Sequence, residues 1–259
     1  MTDTSDGPAV GIAVVTGAGQ GPEGASLGGA VCRELAGRGY DVRAWDLRPR
    51  RLDWTADAAR VTGAVVDVGD WAAVDRAAGD LGAAPDVLVN CAAMTRHPWA
   101  YRPFEDVTAE QVDQELRVSL IGTCYTNLAF GRLMVRRGRG AIVNVSSALY
   151  PHAAAFQAGY GAAKAGVAGL TTSLAAEFGR HGVRVNAVAP GLVETDVFRA
   201  LGGGGRRRIG RMYAGAQPIP PADVARVIAF LASADAGPVN GQVLVVDTGF
   251  DPFPGLPTD

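Results

Sequence analysis

Tyr160 and Lys164 stand four residues apart in a segment of helical spacing, which puts both side chains on one face, about 5 to 6 Å apart at Cβ. Lys164 is the sole lysine among 24 basic residues. With six tyrosines in 259 positions, a lone lysine falls four residues after a tyrosine in roughly one case in forty. Elsewhere the chain uses arginine; here it uses a compact ammonium, whose geometry a planar guanidinium does not reproduce. An ammonium beside a phenol favours the phenolate and lowers a tyrosine from its ordinary pKa of about 10, making a usable acid or base near neutrality. Hydride transfer to or from a nicotinamide needs such a group on the alcohol oxygen. Ser147, thirteen residues before Tyr160 at the end of "AIVNVSS", has a hydroxyl that can orient the same oxygen.

These residues need a scaffold. Short apolar β-rich runs at 10–16, 41–45, 61–66, 86–90, 141–145, 183–188 and 242–246 alternate with helical patterns near 27–38, 70–81, 108–136, 157–180 and 221–233. Continuously apolar strands alternating with helices predict a doubly wound α/β fold, a parallel sheet covered on both faces, in a single domain. The short stretch between Asp46 and Val61 leaves room only for a short or irregular second helix. The helix holding "YGAAKAGVAGLTTSLAAEF" is small or apolar on nearly every side, more than one sheet can cover, so a subunit interface is expected there, giving a homo-oligomer.

Composition narrows the function. A net charge of -2 with scattered arginines argues against a nucleic-acid surface, and no apolar run reaches the roughly 18 residues of a membrane span. The first eight residues lack the basic start and apolar run of a signal peptide, so a cytoplasmic protein is expected. Cys32, Cys91 and Cys124 are widely spaced with no CxxC pair, which indicates neither a disulfide framework nor a metal site.

In a doubly wound fold the ligand lies beyond the carboxyl ends of the strands, where the first strand-to-helix turn offers free N–H groups to a pyrophosphate. "TGAGQG", with Gly17, Gly19, Gln20 and Gly21, lies at that turn. Glycine there admits close approach or positive φ. The lysine of a P-loop is absent, which excludes that class of nucleotide site. Asp46, with Leu47 beside it, ends the second strand, where a carboxylate can accept both ribose hydroxyls of NAD and repel the extra phosphate of NADP. NAD is therefore expected over NADP, although Arg48, Arg50 and Arg51 follow closely and soften the discrimination.

On the glycine loop and on Ser147, Tyr160 and Lys164 together, the chain resembles the short-chain dehydrogenase/reductase family, whose loop reads T-G-x-x-x-G-x-G. The resemblance runs over 10–249 and implies a Rossmann-type NAD(P)-binding catalytic domain between a disordered segment 1–9 and a Pro-rich tail 250–259. It implies that Tyr160 is the general acid/base, that Ser147 positions the carbonyl or hydroxyl, and that Lys164 also binds the nicotinamide ribose. Asp67 and Val68 should flank the adenine, Asn90 to Ala93 ("NCAA", including Ala92) should line the cofactor floor, and Pro190, Gly191, Val193 and Thr195 of "NAVAPGLVET" should hold the nicotinamide side. A dimer or tetramer is expected.

Two departures stand out. Glu23 falls where the loop's last glycine belongs, while Leu27, Val31 and Leu35 keep helical register. Residues 22–26 therefore read as an insertion, with the helix starting near Ser26 and Gly28 as the close-packing glycine. Ser119 of "SLIG" stands where the family has an asparagine that helps hold a water linking the lysine to solvent, so the proton relay is expected to be altered.

The substrate should be a small alcohol or ketone in a fairly apolar pocket with Met94, Leu149 and Phe156, and with His97 and His152 as polar candidates. Arg206 to Arg208 after a glycine run form either an anion clamp or a solvated charge run in a mobile segment. Beside an NAD(P)-dependent oxidoreductase acting on a secondary alcohol or ketone stand two alternatives: a lyase or epimerase using NAD transiently, and a non-catalytic dinucleotide-binding regulator.

Overall fold

Runs of valine, alanine and isoleucine pair in parallel because their β-branched and small side chains are buried on both faces of a sheet. In the computed structural model, which describes residues 9–20, 26–95, 102–152, 155–199 and 217–249, the strands are β1 Gly11–Thr16, β2 Tyr40–Asp46, β3 Val61–Val65, β4 Val87–Asn90, β5 Gly140–Val145, β6 Val183–Pro190 and β7 Val243–Val246. They form one seven-stranded sheet in the order β3-β2-β1-β4-β5-β6-β7, every pair parallel. Register pairs Thr16 with Asn90 and Asn90 with Asn144, so the ends of β1, β4 and β5 line up at one edge.

The helices are α1 Leu27–Gly37, α2 Trp71–Asp80, α3 Ala109–Leu116, α4 Gly122–Arg137, α5 Leu149–His152, α6 Ala158–Phe178, α7 Asp196–Arg199 and α8 Pro221–Ala232. On one face of the sheet α1 and α8 close a core of Val15, Val31, Leu35, Val224, Ile228 and Leu231. On the other, α2, α4 and α6 enclose Val14, Leu88, Phe130, Met134 and Ile142. Val14 and Val15 fall in different cores because successive strand residues point to opposite faces. Each fully buried large side chain contributes about 1.5 to 3 kcal/mol.

Between β2 and β3 the chain forms two 3-10 turns, Pro49–Arg51 and Asp53–Asp57, as the short connection requires. The helical segment expected near 108–136 is observed as one run over 109–137, broken only in its hydrogen-bond pattern. Thr108 caps α3 in a reciprocal box with Gln111, and the helix then passes through a π turn, Arg117–Ile121, before α4. The π turn inserts a residue into the helical count and carries Ser119 to full burial, where its Oγ accepts the Met94 N–H at 2.9 Å. That bond ties the loop after β4 to the helix.

Gly21, residues 22–25, His97, Arg206 to Arg208, segment 1–8 and the tail 250–259 lie outside the described residues. Among the described residues no helix is long and apolar enough to cross a membrane.

Candidate active site

The chain reverses its winding between β1 and β4, so the helices that follow these two strands leave on opposite faces and open a crevice at their carboxyl ends. Gly17 lies in that crevice at φ 65°, and a Cβ there would stand 2.6 Å from the backbone of Ala92. Only glycine meets both demands. Thr16 Oγ1 accepts the Ala92 N–H at 3.3 Å, fastening the two strand ends. Ser26 caps α1, its Oγ accepting the Gly29 N–H at 3.0 Å, and Gly28 packs against the Gly17 carbonyl, where a Cβ would collide.

Gly19 is seated on Asp46. Its N–H donates to Asp46 Oδ2 at 2.9 Å, while the Arg48 N–H donates to Oδ1 at 3.1 Å. Gln20 is tied to Arg51 in both directions, N–H to carbonyl at 2.9 Å and guanidinium Nε to the Gln20 carbonyl at 3.2 Å. The first half of the loop is thus fastened to the end of β2, with the Gly19 and Gln20 N–H groups bonded to Asp46 and Arg51. Each Asp46 oxygen keeps lone-pair capacity for a further donor.

Tyr160 and Lys164 project from the first turns of α6 toward the end of β5. Lys164 is 2 % exposed, donates from Nζ to the Val145 carbonyl at 2.7 Å, and lies 5.6 Å from the centroid of the Tyr160 ring. Burial pulls the ammonium down from its ordinary 10.5 to about 8. The neighbouring Cys91 thiol is pushed up to about 12 by burial, against the pull of the Lys164 charge, so Cys91 is neutral. Ser146 Oγ donates to the Lys164 carbonyl at 2.8 Å, locking α6 to β5 at the residue that carries the charge. Ser147 is buried; its Oγ accepts the Leu149 N–H at 3.2 Å, leaving its own proton to donate.

Underneath, Asn90, Thr126, Asn127, Asn144 and Thr171 form one buried hydrogen-bonded network joining β4, β5, α4 and α6. These bonds hold the elements in one relative position, and within the network Asn127 Oδ1 is buried without a partner among the described residues.

Residues 23–251 match the family described as enoyl-(acyl carrier protein) reductase. The chain is 35% identical to the short-chain reductase protein NovJ of Streptomyces niveus, covering 92% of this chain and 93% of that protein. It is 37% identical to a galactitol 2-dehydrogenase of Cereibacter sphaeroides over 92% of this chain and 94% of that one. A solved 3-oxoacyl-[acyl-carrier protein] reductase of Brucella melitensis superposes with a TM-score of 0.86 at 27% identity, covering 96% of each chain. The chain belongs to the short-chain dehydrogenase/reductase family.

Membership makes this short-chain dehydrogenase/reductase an oxidoreductase that interconverts an alcohol and a ketone with a nicotinamide dinucleotide. The residues present fit such a cofactor: Gly17 at positive φ hard against the Ala92 backbone, a Ser26-capped start of α1 beside it, and a buried ammonium with two N–H bonds lacking an acceptor among the described residues. Asp67 turns its carboxylate onto the Gly69 N–H at 2.8 Å, Val68 packs on Gly122 at the start of α4, and Leu47 is exposed beside Asp46. Leu27 packs against the core below the cradle.

Pro190 and Gly191 leave β6 next to Ser147: the Ala148 N–H donates to the Pro190 carbonyl at 2.9 Å. Val193 bridges Ile219, and the Thr195 N–H turns back onto the Val193 carbonyl at 2.8 Å. Met94, Leu149 and Phe156 stand on the two connections around the crevice mouth, and His152 on α5 meets Asp247 beyond β7 at 3.7 Å. Among the described residues no His, Cys, Asp and Glu cluster could hold a metal ion.

Ser146, the Val145 carbonyl and Asp247 were not singled out from the sequence. Ser146 adjoins a candidate and was within reach of inspection. The other two act through a backbone atom and through a contact between distant segments, neither of which leaves a local pattern.

Proposed function

We propose that the enzyme transfers hydride between a secondary alcohol and NAD, in preference to NADP, with Tyr160 as the general acid/base. The observation that carries this reading is the buried Lys164 ammonium lying 5.6 Å from the Tyr160 ring on the same face of α6, at the end of the strand that delivers Ser147.

The pyrophosphate would lie on Gly17, Gly19 and Gln20 at the start of α1, the adenosine ribose on Asp46, the adenine between Leu47, Asp67 and Val68, and the nicotinamide along Asn90, Ala92, Pro190, Gly191, Val193 and Thr195. Both Asp46 oxygens already face donors, and a carboxylate there disfavours a ribose phosphate. Lys164 would give its remaining N–H bonds to the nicotinamide ribose. The bound dinucleotide supplies or accepts the hydride.

In the reducing direction Ser147 and Tyr160 donate hydrogen bonds to the ketone oxygen. Tyr160 passes its proton to that oxygen as negative charge develops there, and the Lys164 charge stabilises the phenolate that remains. Alcohol oxidation runs these roles in reverse. Ser119, whose oxygen is occupied by the Met94 N–H, keeps its own proton for a water on the path to Lys164.

The protein would work in the cytoplasm as a dimer or tetramer. Ala158, Ala162, Ala165, Gly169 and Ala176 are exposed along the outer face of α6, and at the far edge Phe230 of α8 with Leu244 and Val245 of β7 are 43%, 42% and 38% exposed. Two separate uncovered apolar faces fit an assembly with two kinds of interface.

Tyr160→Phe tests the mechanism. Turnover of a panel of alcohols and ketones should fall by about 10²-fold or more while NADH affinity stays within about threefold. Retained turnover would remove Tyr160 from the chemistry. Stoichiometric bound cofactor with no net NADH change would mark a lyase or epimerase, and cofactor binding without turnover of any substrate by the wild type would mark a regulator.

A further inference from the structure

Tyr160 stands in the first turn of its helix, where a helix is held least. Gln157 gives α6 no side-chain cap, and the helical bonds open with the Gly161 N–H on the Gln157 carbonyl at 2.8 Å, one residue past the tyrosine. The chain enters this turn through Phe156 at φ 65°, a conformation that a non-glycine residue keeps only where its surroundings impose it. The first N–H groups of a helix lack acceptors within it, so an uncapped first turn frays before the rest. Lys164 lies one turn further in and is fastened twice, through Nζ to the Val145 carbonyl at 2.7 Å and through its own carbonyl to Ser146 Oγ at 2.8 Å. The strand thus secures the lysine more firmly than the tyrosine.

Support for the first turn comes from α3. Glu115, near the end of that helix, is only 7% exposed, and a charge at such depth needs a favourable field around it. Its Oε2 lies where a Cβ on residue 159 would fall, so only glycine leaves the carboxylate room. Two turns along α6, Leu120 of the π turn covers Gly166 in the same way, with a Cβ there standing 2.8 Å from Leu120 Cδ2. The helical run from α3 through the π turn therefore lies on two glycines of α6, and it sets a carboxylate against Gly159, the second residue of that helix. Negative charge there meets the positive end of the helix dipole, and burial strengthens the attraction.

We infer that Glu115 is a positioning residue for the reaction: its buried carboxylate, received on Gly159, takes the place of the side-chain cap that Gln157 does not supply and so holds Tyr160 in its working position. This rests on the oxidoreductase reading of the same site. Glu115 acts on the chemistry only through the first turn of α6.

The test compares the full-length wild type, Glu115→Gln, Gly159→Ala and the double variant by hydrogen exchange of residues 157–162, by NADH titration, and by reduction of butanone, cyclohexanone and acetophenone with NADH. Glu115→Gln keeps the shape and removes the charge. Gly159→Ala displaces the carboxylate with a methyl group that by itself favours helix, so a loss in this variant comes from the contact. Either substitution should speed exchange of the first turn about tenfold and lower kcat about tenfold, while the ketone KM and the NADH Kd stay within about twofold because Lys164 keeps both of its bonds. The double variant should be no worse than the worse single one, since both changes remove one contact. Unchanged exchange or kcat in either single variant, losses that multiply in the double variant, or a rise in NADH Kd that matches the fall in kcat overturns the proposal. If Glu115→Gln does not fold, Gly159→Ala carries the same test. If the wild type binds NADH but reduces neither these ketones nor a wider panel, the oxidoreductase reading falls, while faster first-turn exchange in the variants still establishes the cap.

Discussion

The Lys164 ammonium donates to the Val145 carbonyl oxygen at 2.7 Å, and this bond fixes the one lysine of the chain beneath the Tyr160 ring. A charge in that position carries an energetic cost. Burial lowers its pKa from 10.5 to about 8, so the folded protein binds its proton less tightly than the unfolded chain does.

The cost has a definite pH signature. Between about pH 8 and 10.5 the unfolded chain holds more protons than the folded one, so stability rises with pH across that window, and below about 8 the whole penalty is present. At about 1.4 kcal/mol per unit the penalty is roughly 3 kcal/mol. Lys164→Met keeps the volume, removes the titrating group and leaves the Val145 carbonyl without its donor, a loss that offsets the relief of the buried charge. It should flatten the rise in stability above pH 8, while turnover is lost. Urea unfolding followed by tryptophan fluorescence at pH 7 and pH 9.5 reads the effect; a variant whose stability still rises between these two pH values as much as wild type would contradict it.

Asp46 joins the glycine loop to the cofactor choice. Asp46→Ala removes the acceptor of both Gly19 and Arg48 and the negative charge beside the ribose. NAD affinity should fall roughly tenfold or more, the loss of a charge-assisted hydrogen bond, while NADP affinity changes little or improves. Titration with each dinucleotide gives the ratio. Tighter binding of NADP than NAD by the wild type would refute the assigned preference.

The outer face of α6 offers a test of assembly that leaves the fold alone. Ala165 is exposed in the single chain, opposite the face that buries Ala163, Lys164 and Val167. Ala165→Arg should lower the mass measured by size-exclusion chromatography with light scattering and leave the circular dichroism spectrum unchanged. A monomeric wild type would show that the small residues of this face cover nothing.

Much of the architecture could be read from local pattern. Apolar runs of strand length separated by helical periodicity specify a parallel sheet, because a strand buried on both faces has no polar side to alternate. The short interval before Val61 indicated an irregular connection, and two 3-10 turns occupy it. The π turn at Arg117–Ile121 could not be read this way. One extra residue in a helix barely disturbs the apolar spacing, and what favours it, the burial of Ser119 against the Met94 N–H, is a contact with another segment.

The pairing of Tyr160 with Lys164 was determined by sequence alone, since a spacing of four on a helix brings two side chains together wherever the helix lies. Tertiary structure decided what surrounds them: burial that shifts the ammonium, the carbonyl of Val145 that receives it, the hydroxyl of Ser146 that fastens the helix, and the meeting of His152 with Asp247. Those depend on which strands lie side by side. Desolvation and contacts between distant segments arise only when the sheet closes, so they leave no periodicity along the chain.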